Sequence, residues 1–147
     1  MILTPGARLV VDTSVAVKWF FDEPLSESAL AVLEAGRSGA ASLFAPDLIY
    51  PEFGNAVRRR ALREGLDPVD GAAIVGAFFH LPFAAVAPSR PLLPAAYRLA
   101  LEYGCTVYDA VFLAAANQLA ADFVTADERL YRAVDGRIAG LRRLGDG

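Results

Sequence analysis

The sequence contains very few of the residues on which several common active sites depend. Its single cysteine, Cys105, excludes an internal disulfide and a multi-cysteine zinc site, and is typical of a reducing compartment. Its single histidine, His80, excludes a paired-histidine acid–base site, and its apolar neighbours favour a core or helix-end position. Neither a phosphate-binding loop ending in Gly-Lys-Ser or Gly-Lys-Thr nor a Gly-x-Gly-x-x-Gly motif is present. Thiol, histidine and nucleotide-loop chemistry are therefore disfavoured.

Positive charge is also scarce. The net charge is −3 and Lys18 is the only lysine, so contact with nucleic acid would need a local basic patch or bound cations. The most apolar run, 72–87, is interrupted by a glycine, a histidine and a proline and falls short of the roughly 20 residues of a membrane span. No secretory signal is recognisable. We expect a cytoplasmic protein without a membrane segment, forming one domain over residues 1–147.

Hydrophobic patterning predicts alternating strands and helices. Apolar runs indicate strands, whereas capping residues, glycines and prolines mark the helix ends. Because parallel neighbours need crossover connections, this alternation favours a parallel sheet covered by helices on both faces. The predicted strands are 8–11, 42–45, 82–86 and 122–125, with a weak strand or tail at 138–144, and the predicted helices are 15–21, 25–35, 47–64, 68–79, 91–103, 106–121 and 127–134.

Asp12 follows a buried strand directly. The run Arg8–Val11 has no polar alternation, which is typical of a strand covered on both faces, and ligands of such sheets bind beyond the carboxyl ends of the strands. The alternative is that Asp12 only caps the next helix. That helix carries Trp19–Phe21, whose rings are expected either in the core or at a subunit interface.

Three further carboxylates are expected near the same edge. Asp109 shares a helix face with apolar residues three, four and seven positions later, although a capping box with Thr106 is the alternative. Asp127 follows the strand 122–125, or simply occupies the first turn of a helix. Glu52 begins a helix stripe that continues through Ala56 to Arg59 and Arg63, with Asn55 beside it. The arginines of this helix are expected either as a solvated face or as contacts to phosphate or a partner.

Four carboxylates at one edge would form an acidic pocket. Like charges repel and burial adds to the cost, so a pocket of this kind needs a compensating cation. Oxygen ligands suit Mg²⁺ or Mn²⁺. Metal-assisted phosphodiester hydrolysis is the chemistry that these residues favour.

Four motifs occur along the chain in a recognisable order and spacing. They are Val11-Asp12-Thr13-Ser14, Ala45-Pro46-Asp47-Leu48 leading to Glu52-x-x-Asn55, Thr106-Val107-Tyr108-Asp109-Ala110, and Val124-Thr125-Ala126-Asp127-Glu128-Arg129-Leu130. Together they resemble the PIN-domain family, and more narrowly the VapC-type toxins of toxin–antitoxin pairs. The resemblance extends over nearly the whole chain, with Pro51, immediately before Glu52, as a local departure.

The resemblance implies a three-layer α/β/α sandwich with a central parallel sheet and an endoribonuclease that depends on Mg²⁺ or Mn²⁺. It implies that the chain forms a homodimer and is inhibited by a cognate antitoxin whose C-terminal segment occupies the active-site groove. We further expect Arg59 and Arg63 to contact RNA or the antitoxin, and Trp19–Phe21 to contribute to the dimer contact. The implied catalytic and metal-binding residues are Asp12, Glu52, Asp109 and Asp127, with Ser14, Asn55 and Thr125 as supporting polar residues.

Three other functions remain open at this point. The first is a PIN-like module that binds RNA or protein without cutting, its acids serving as helix caps. The second is a phosphatase or DNA nuclease that uses the same pocket. The third is a purely structural dimerisation module, which would give Asp109 no reason to face an apolar stripe.

Overall fold

A five-stranded parallel sheet forms the centre of the molecule. The computed structural model describes residues 3–134 and 136–146. Within this part of the chain the strands follow the order β3-β2-β1-β4-β5, and every neighbouring pair is parallel. The strands are β1 (Ala7–Val11), β2 (Ala41–Pro46), β3 (Phe83–Ala87), β4 (Asp122–Thr125) and β5 (Leu141–Arg143).

Helices flank both faces of this sheet, so the predicted three-layer α/β/α sandwich is confirmed. The weak final segment forms the short parallel strand β5, and Pro51 lies in the first turn of its helix. The helices of the described residues are α1 (Thr13–Ala16), α2 (Ser26–Ser38), α3 (Ile49–Glu64), α4 (Pro68–Phe78), α5 (Leu93–Tyr103), α6 (Val107–Leu119) and α7 (Glu128–Val134), with 3₁₀ turns at Val17–Trp19 and Arg90–Leu92.

The predicted helix over 15–21 was too long. The α-helix ends at Ala16 and tightens into a 3₁₀ turn, after which the amides of Phe20 and Phe21 both donate to the Val17 carbonyl. This tightening accompanies packing of the aromatic side chains against the core. Trp19 Nε1 donates to the Ala29 carbonyl at 2.8 Å, and the Phe20 ring lies 5.3 Å from the ring of Phe53. The side chains of Trp19–Phe21 therefore pack against the core, which is the first of the two positions expected for them.

The central strand β1 determines where the site lies. Its residues Leu9, Val10 and Val11 are fully buried, because helices cover both faces of the sheet. The register pairs Val11 with Val124, so the residues that follow β1 and β4 leave the sheet side by side. Asp12 and Thr125 are consequently neighbours in space, although they are far apart in sequence.

No single helix among residues 3–134 and 136–146 is long and apolar enough to cross a membrane. Only a pair joined across a 115° bend, Arg90–Tyr103 with Val107–Leu119, has the length and composition for it.

Candidate active site

Asp12 occupies the middle of the carboxyl edge of the sheet. It is 7% exposed, and both of its carboxylate oxygens accept hydrogen bonds. Oδ2 accepts from the Thr125 hydroxyl at 2.5 Å, and Oδ1 accepts from the hydroxyl of Ser14 and from the Val15 amide at 3.3 Å. The amide bond caps α1, so Asp12 has the capping role as well as a place at the predicted site.

Burial has a direct effect on the ionisation of Asp12. Desolvation raises the pKa of this carboxyl from 3.8 to about 6, against the opposing effect of hydrogen bonds from Ser14, Thr125 and Val15. The charge of Asp127 contributes a smaller part of this increase. Burial therefore disfavours the ionised form of Asp12.

Two hydroxyls connect Asp12 to the segment that follows β4. The Thr125 oxygen, which donates to Asp12, accepts from the Asp127 amide at 3.0 Å. Ser14 Oγ accepts in the same way from the Ala126 amide at 2.9 Å. Asp127 also caps α7, because its Oδ1 accepts from two amides of the first turn. Both hydroxyls thus hold the segment after β4 against the segment after β1.

Asp109 combines a cap contact with a position facing the cleft. Its amide donates to the Thr106 hydroxyl at 3.1 Å, which is the N-cap bond of α6. The face that it shares with Phe112 packs into the core, as the spacing predicted. Desolvation raises the pKa of the Asp109 carboxyl, the Thr106 hydroxyl lowers it, and the charge of Asp127 raises it.

Glu52 comes from the first turn of α3. It is half-buried, and its Oε1 accepts a hydrogen bond from the Thr13 hydroxyl at 3.1 Å. Desolvation raises the pKa of Glu52, the contact with Thr13 lowers it, and the charge of Asp109 raises it. Since Thr13 follows Asp12 directly, this contact fixes the start of α3 relative to the sheet edge.

The four carboxylates line a single cleft of about 320 Å³. The stripe predicted on α3 faces it, because Ala56, Arg59 and Arg63 line the cleft together with Glu52. Asn55 is exposed and is not among the described residues that line it, since it lies to one side of that stripe. Thr125 lies beneath Asp12, where it is fully buried and donates its hydroxyl to the Asp12 carboxylate. Ser14 is at the surface of the cleft.

One side of the cleft contains an ion-pair group that the sequence did not predict. Glu23 forms ion pairs with Lys18, at 3.0 Å, and with Arg60. The Arg60 guanidinium also lies over the Phe21 ring, 4.6 Å from its centroid. Since Glu23 is neutralised by two cations, it differs from the other four carboxylates. The large sequence separation between Glu23 and Arg60 left no local pattern by which to recognise this group.

The charge balance of the cleft fits a divalent cation. Among the described residues, Asp12, Glu52, Asp109 and Asp127 form no ion pair within 4.0 Å. Oxygen donors of this type are those that Mg²⁺ and Mn²⁺ prefer. No three acidic, histidine or cysteine side chains within 3–134 and 136–146 are close enough to enclose an ion directly. The donor set therefore fits an ion that keeps several waters, as Mg²⁺ commonly does.

Known proteins resemble this chain in sequence and in fold. Residues 9–136 match the PIN domain family model. Ribonuclease VapC3 of Pyrobaculum aerophilum is 31% identical over 124 residues, which cover 84% of this chain and 92% of that protein.

Solved structures extend the similarity of fold. VapC20 of Mycobacterium tuberculosis, described as a sarcin-ricin loop cleaving toxin, superposes with a TM-score of 0.65 at 15% identity, covering 91% of this chain and 98% of that one. VapBC2 of Rickettsia felis, bound to a DNA fragment from its promoter, superposes with a TM-score of 0.60 at 12% identity, covering 92% and 96%. With a family model that spans most of its length and a parallel sheet of the same architecture, the chain belongs to the PIN domain family.

Proposed function

We propose that this protein is an endoribonuclease dependent on Mg²⁺ or Mn²⁺, and that it is the toxin of a toxin–antitoxin pair. The observation that carries the proposal is the cleft that Asp12, Glu52, Asp109 and Asp127 line together, with none of the four in an ion pair within 4.0 Å in the described part of the chain. The similarity to Ribonuclease VapC3 supports RNA as the substrate. A cytoplasmic location agrees with this substrate and with the free thiol of Cys105.

The acidic residues of the cleft are the proposed ligands of the metal ion. Asp12 and Asp109, with Glu52 and Asp127, would hold the metal ion directly or through water. When bound, the ion supplies a lowered pKa for an attacking water and positive charge beside the phosphate.

The surrounding residues hold these acids in place. Thr125 and Ser14 fix both oxygens of Asp12, and Thr13 orients Glu52. Arg59 and Arg63, about two and three turns after Glu52 along α3, would bind the phosphates next to the cut. Attack by water instead of by the ribose 2′-hydroxyl predicts products with 5′-phosphate and 3′-hydroxyl ends.

An antitoxin and a second copy of the chain are the proposed protein partners. The similarity of fold to VapBC2 supports an antitoxin. Arg59 and Arg63 would bind carboxylates of its C-terminal segment in the cleft. A second copy would cover the stripe of Leu93, Tyr97 and Leu101 on α5, which are each more than half exposed and lie at i, i+4 and i+8.

Cleavage of total RNA and transfer RNA by the purified protein tests this function. We expect cuts with manganese, no cuts with EDTA, and none from Asp12→Asn or Asp109→Asn, with 5′-phosphates at the mapped ends. Single-stranded DNA and a phosphomonoester serve as parallel substrates, and preferential cleavage of either would reassign the activity. A folded protein that binds RNA and manganese but cuts nothing would instead favour a binding module.

A further inference from the structure

A second cavity borders the candidate active site. Its volume is about 330 Å³, and Asp109 lines both this cavity and the catalytic cleft. The remaining lining comes from the 104–106 loop between α5 and α6 and from Arg129, Leu130 and Ala133 of α7. We call it the side cavity. Because the two spaces share a carboxylate of the acidic cluster, a chain bound across that cluster passes beside the side cavity.

The side cavity combines one cationic group with an apolar wall. The Arg129 side chain is exposed and, within the described part of the chain, forms no ion pair within 4.0 Å. It is close enough to Asp109 for its charge to lower the pKa of that carboxyl. Leu130 and Ala133 provide the wall. The volume lies at the lower end of the range for small-molecule sites, about 300–1,000 Å³, which suits a single nucleoside.

Basic residues thus occur on two separate elements around the acidic cluster. Arg59 and Arg63 of α3 line the catalytic cleft, whereas Arg129 of α7 lines the side cavity. In a protein of net charge −3, basic residues on two elements around one acidic site match a polyanion that continues beyond the reacting phosphate. The basic residues of one element alone would be enough to bind a single phosphate group.

We propose that the side cavity is a subsite for one nucleotide of single-stranded RNA next to the cut, with Arg129 bound to its phosphate and Leu130 and Ala133 against its base or ribose. This inference rests on the proposed function and deepens it, because it assigns a second contact region to the same substrate. Arg129 is a binding residue here and takes no part in the chemical step.

The single thiol of the chain offers a direct readout. Cys105 lines the side cavity and is half-buried, so its rate of labelling by a maleimide reports on access through that space. The protein is prepared as Asp12→Asn, so that bound RNA is not cut, and is labelled with and without a short single-stranded RNA in the presence of magnesium. We expect RNA to slow labelling at least about 5-fold, as for a site that is mostly occupied. Labelling of the denatured protein controls for reagent quality.

Two arginines of the same helix provide a matched comparison. Arg129→Ala keeps the amide that donates to Asp127, so it removes only the side chain from the cavity. Arg132→Ala removes the same charge from α7, but Arg132 pairs with Glu128 and does not line the side cavity. We expect Arg129→Ala to weaken RNA binding about 3- to 10-fold and to reduce the slope of log affinity against log salt by about 0.7. We expect less than about a 2-fold change for Arg132→Ala.

The possible outcomes separate this subsite from the proposed activity. Binding and metal-dependent cutting without protection of Cys105, and with Arg129→Ala equal to Arg132→Ala, would overturn the subsite and leave the ribonuclease intact. A protein that neither binds nor cuts any RNA would overturn the ribonuclease and the subsite with it. Protection of Cys105 together with a selective loss in Arg129→Ala would establish the subsite.

Discussion

Asp12 is the residue at which burial and charge conflict most strongly. In the metal-free protein its folded pKa of about 6 lies above the value of 3.8 that represents the unfolded chain. Between these values the folded state binds a proton that the unfolded state releases, so stability decreases as the pH rises through this window. The penalty at neutral pH is on the order of 3 kcal/mol.

Asp12→Asn should therefore stabilise the metal-free protein at neutral pH. We expect its Tm to rise at about pH 7, because the neutral amide avoids the desolvation cost, and to change little at about pH 4, where Asp12 is already protonated. Thermal melts in EDTA at several pH values measure this. Asp22→Asn, which alters an exposed carboxylate outside the cleft, serves as the control. An equal or lower Tm of Asp12→Asn at neutral pH would contradict the argument.

Thr125 is the residue whose loss should affect two acids at once. Thr125→Val removes the hydroxyl that donates to Asp12 and accepts from the Asp127 amide. We expect manganese affinity or RNA cutting to decrease about 10- to 100-fold, as for other residues that orient metal ligands. Thr125→Ser keeps the hydroxyl and should restore most of the loss. Isothermal titration with manganese and cleavage assays test this, and equal losses in both variants would argue for a packing role alone.

At the scale of elements, α2 and β2 illustrate how closely the layers approach. A Cβ on Gly36 of α2 would lie 2.6 Å from Leu43 Cδ1 and 2.7 Å from its Cγ, and Leu43 is buried in β2. Alanine would favour the helix by about 1 kcal/mol, but overpacking of a buried side chain costs about 1–3 kcal/mol. The steric cost therefore exceeds the propensity gain.

Gly36→Ala should accordingly lower the free energy of unfolding, by about 1 kcal/mol. Gly76→Ala in α4 is the matched control, because nothing lies within 4 Å of its added Cβ. We expect that control to stabilise the protein by about 0.5–1 kcal/mol through helix propensity. Urea unfolding of both variants compares the two effects. The same sign of change in both would show that Leu43 moves aside freely.

Local sequence patterns predicted some features of the helices and missed others. The stripe from Glu52 to Arg63 on α3 follows from helical periodicity alone, and all of its members face the cleft. The helix ends before Gly65 and Gly104 were predicted from the preference for glycine at helix C-termini. Both glycines do adopt left-handed φ in the structure. The break after Ala16 was missed, because it accompanies packing of Trp19 and Phe20 against distant residues.

At the scale of the whole molecule, the exposed stripe on α5 gives a test of the proposed homodimer. Tyr97→Glu should place a charge in the middle of that stripe and raise the dimer dissociation constant about 30-fold or more, the usual loss at an interface hot spot. Light scattering over a dilution series measures it. Leu62→Glu on α3 is the control, since Leu62 is similarly exposed but lies on another helix. An unchanged dissociation constant for Tyr97→Glu would move the interface elsewhere.

The sequence by itself predicted the class of fold, the edge of the sheet at which function is expected, and the four acids that line the cleft there, Asp12, Glu52, Asp109 and Asp127. These features depend on the periodicity of strands and helices and on the parallel topology, both of which are local or follow from simple connection rules. Only the tertiary structure decided that Asn55 lies outside the cleft and that Glu23 is neutralised by Lys18 and Arg60. Such contacts join residues that are distant in the chain, so their distances depend on how the packed layers meet and not on any local pattern.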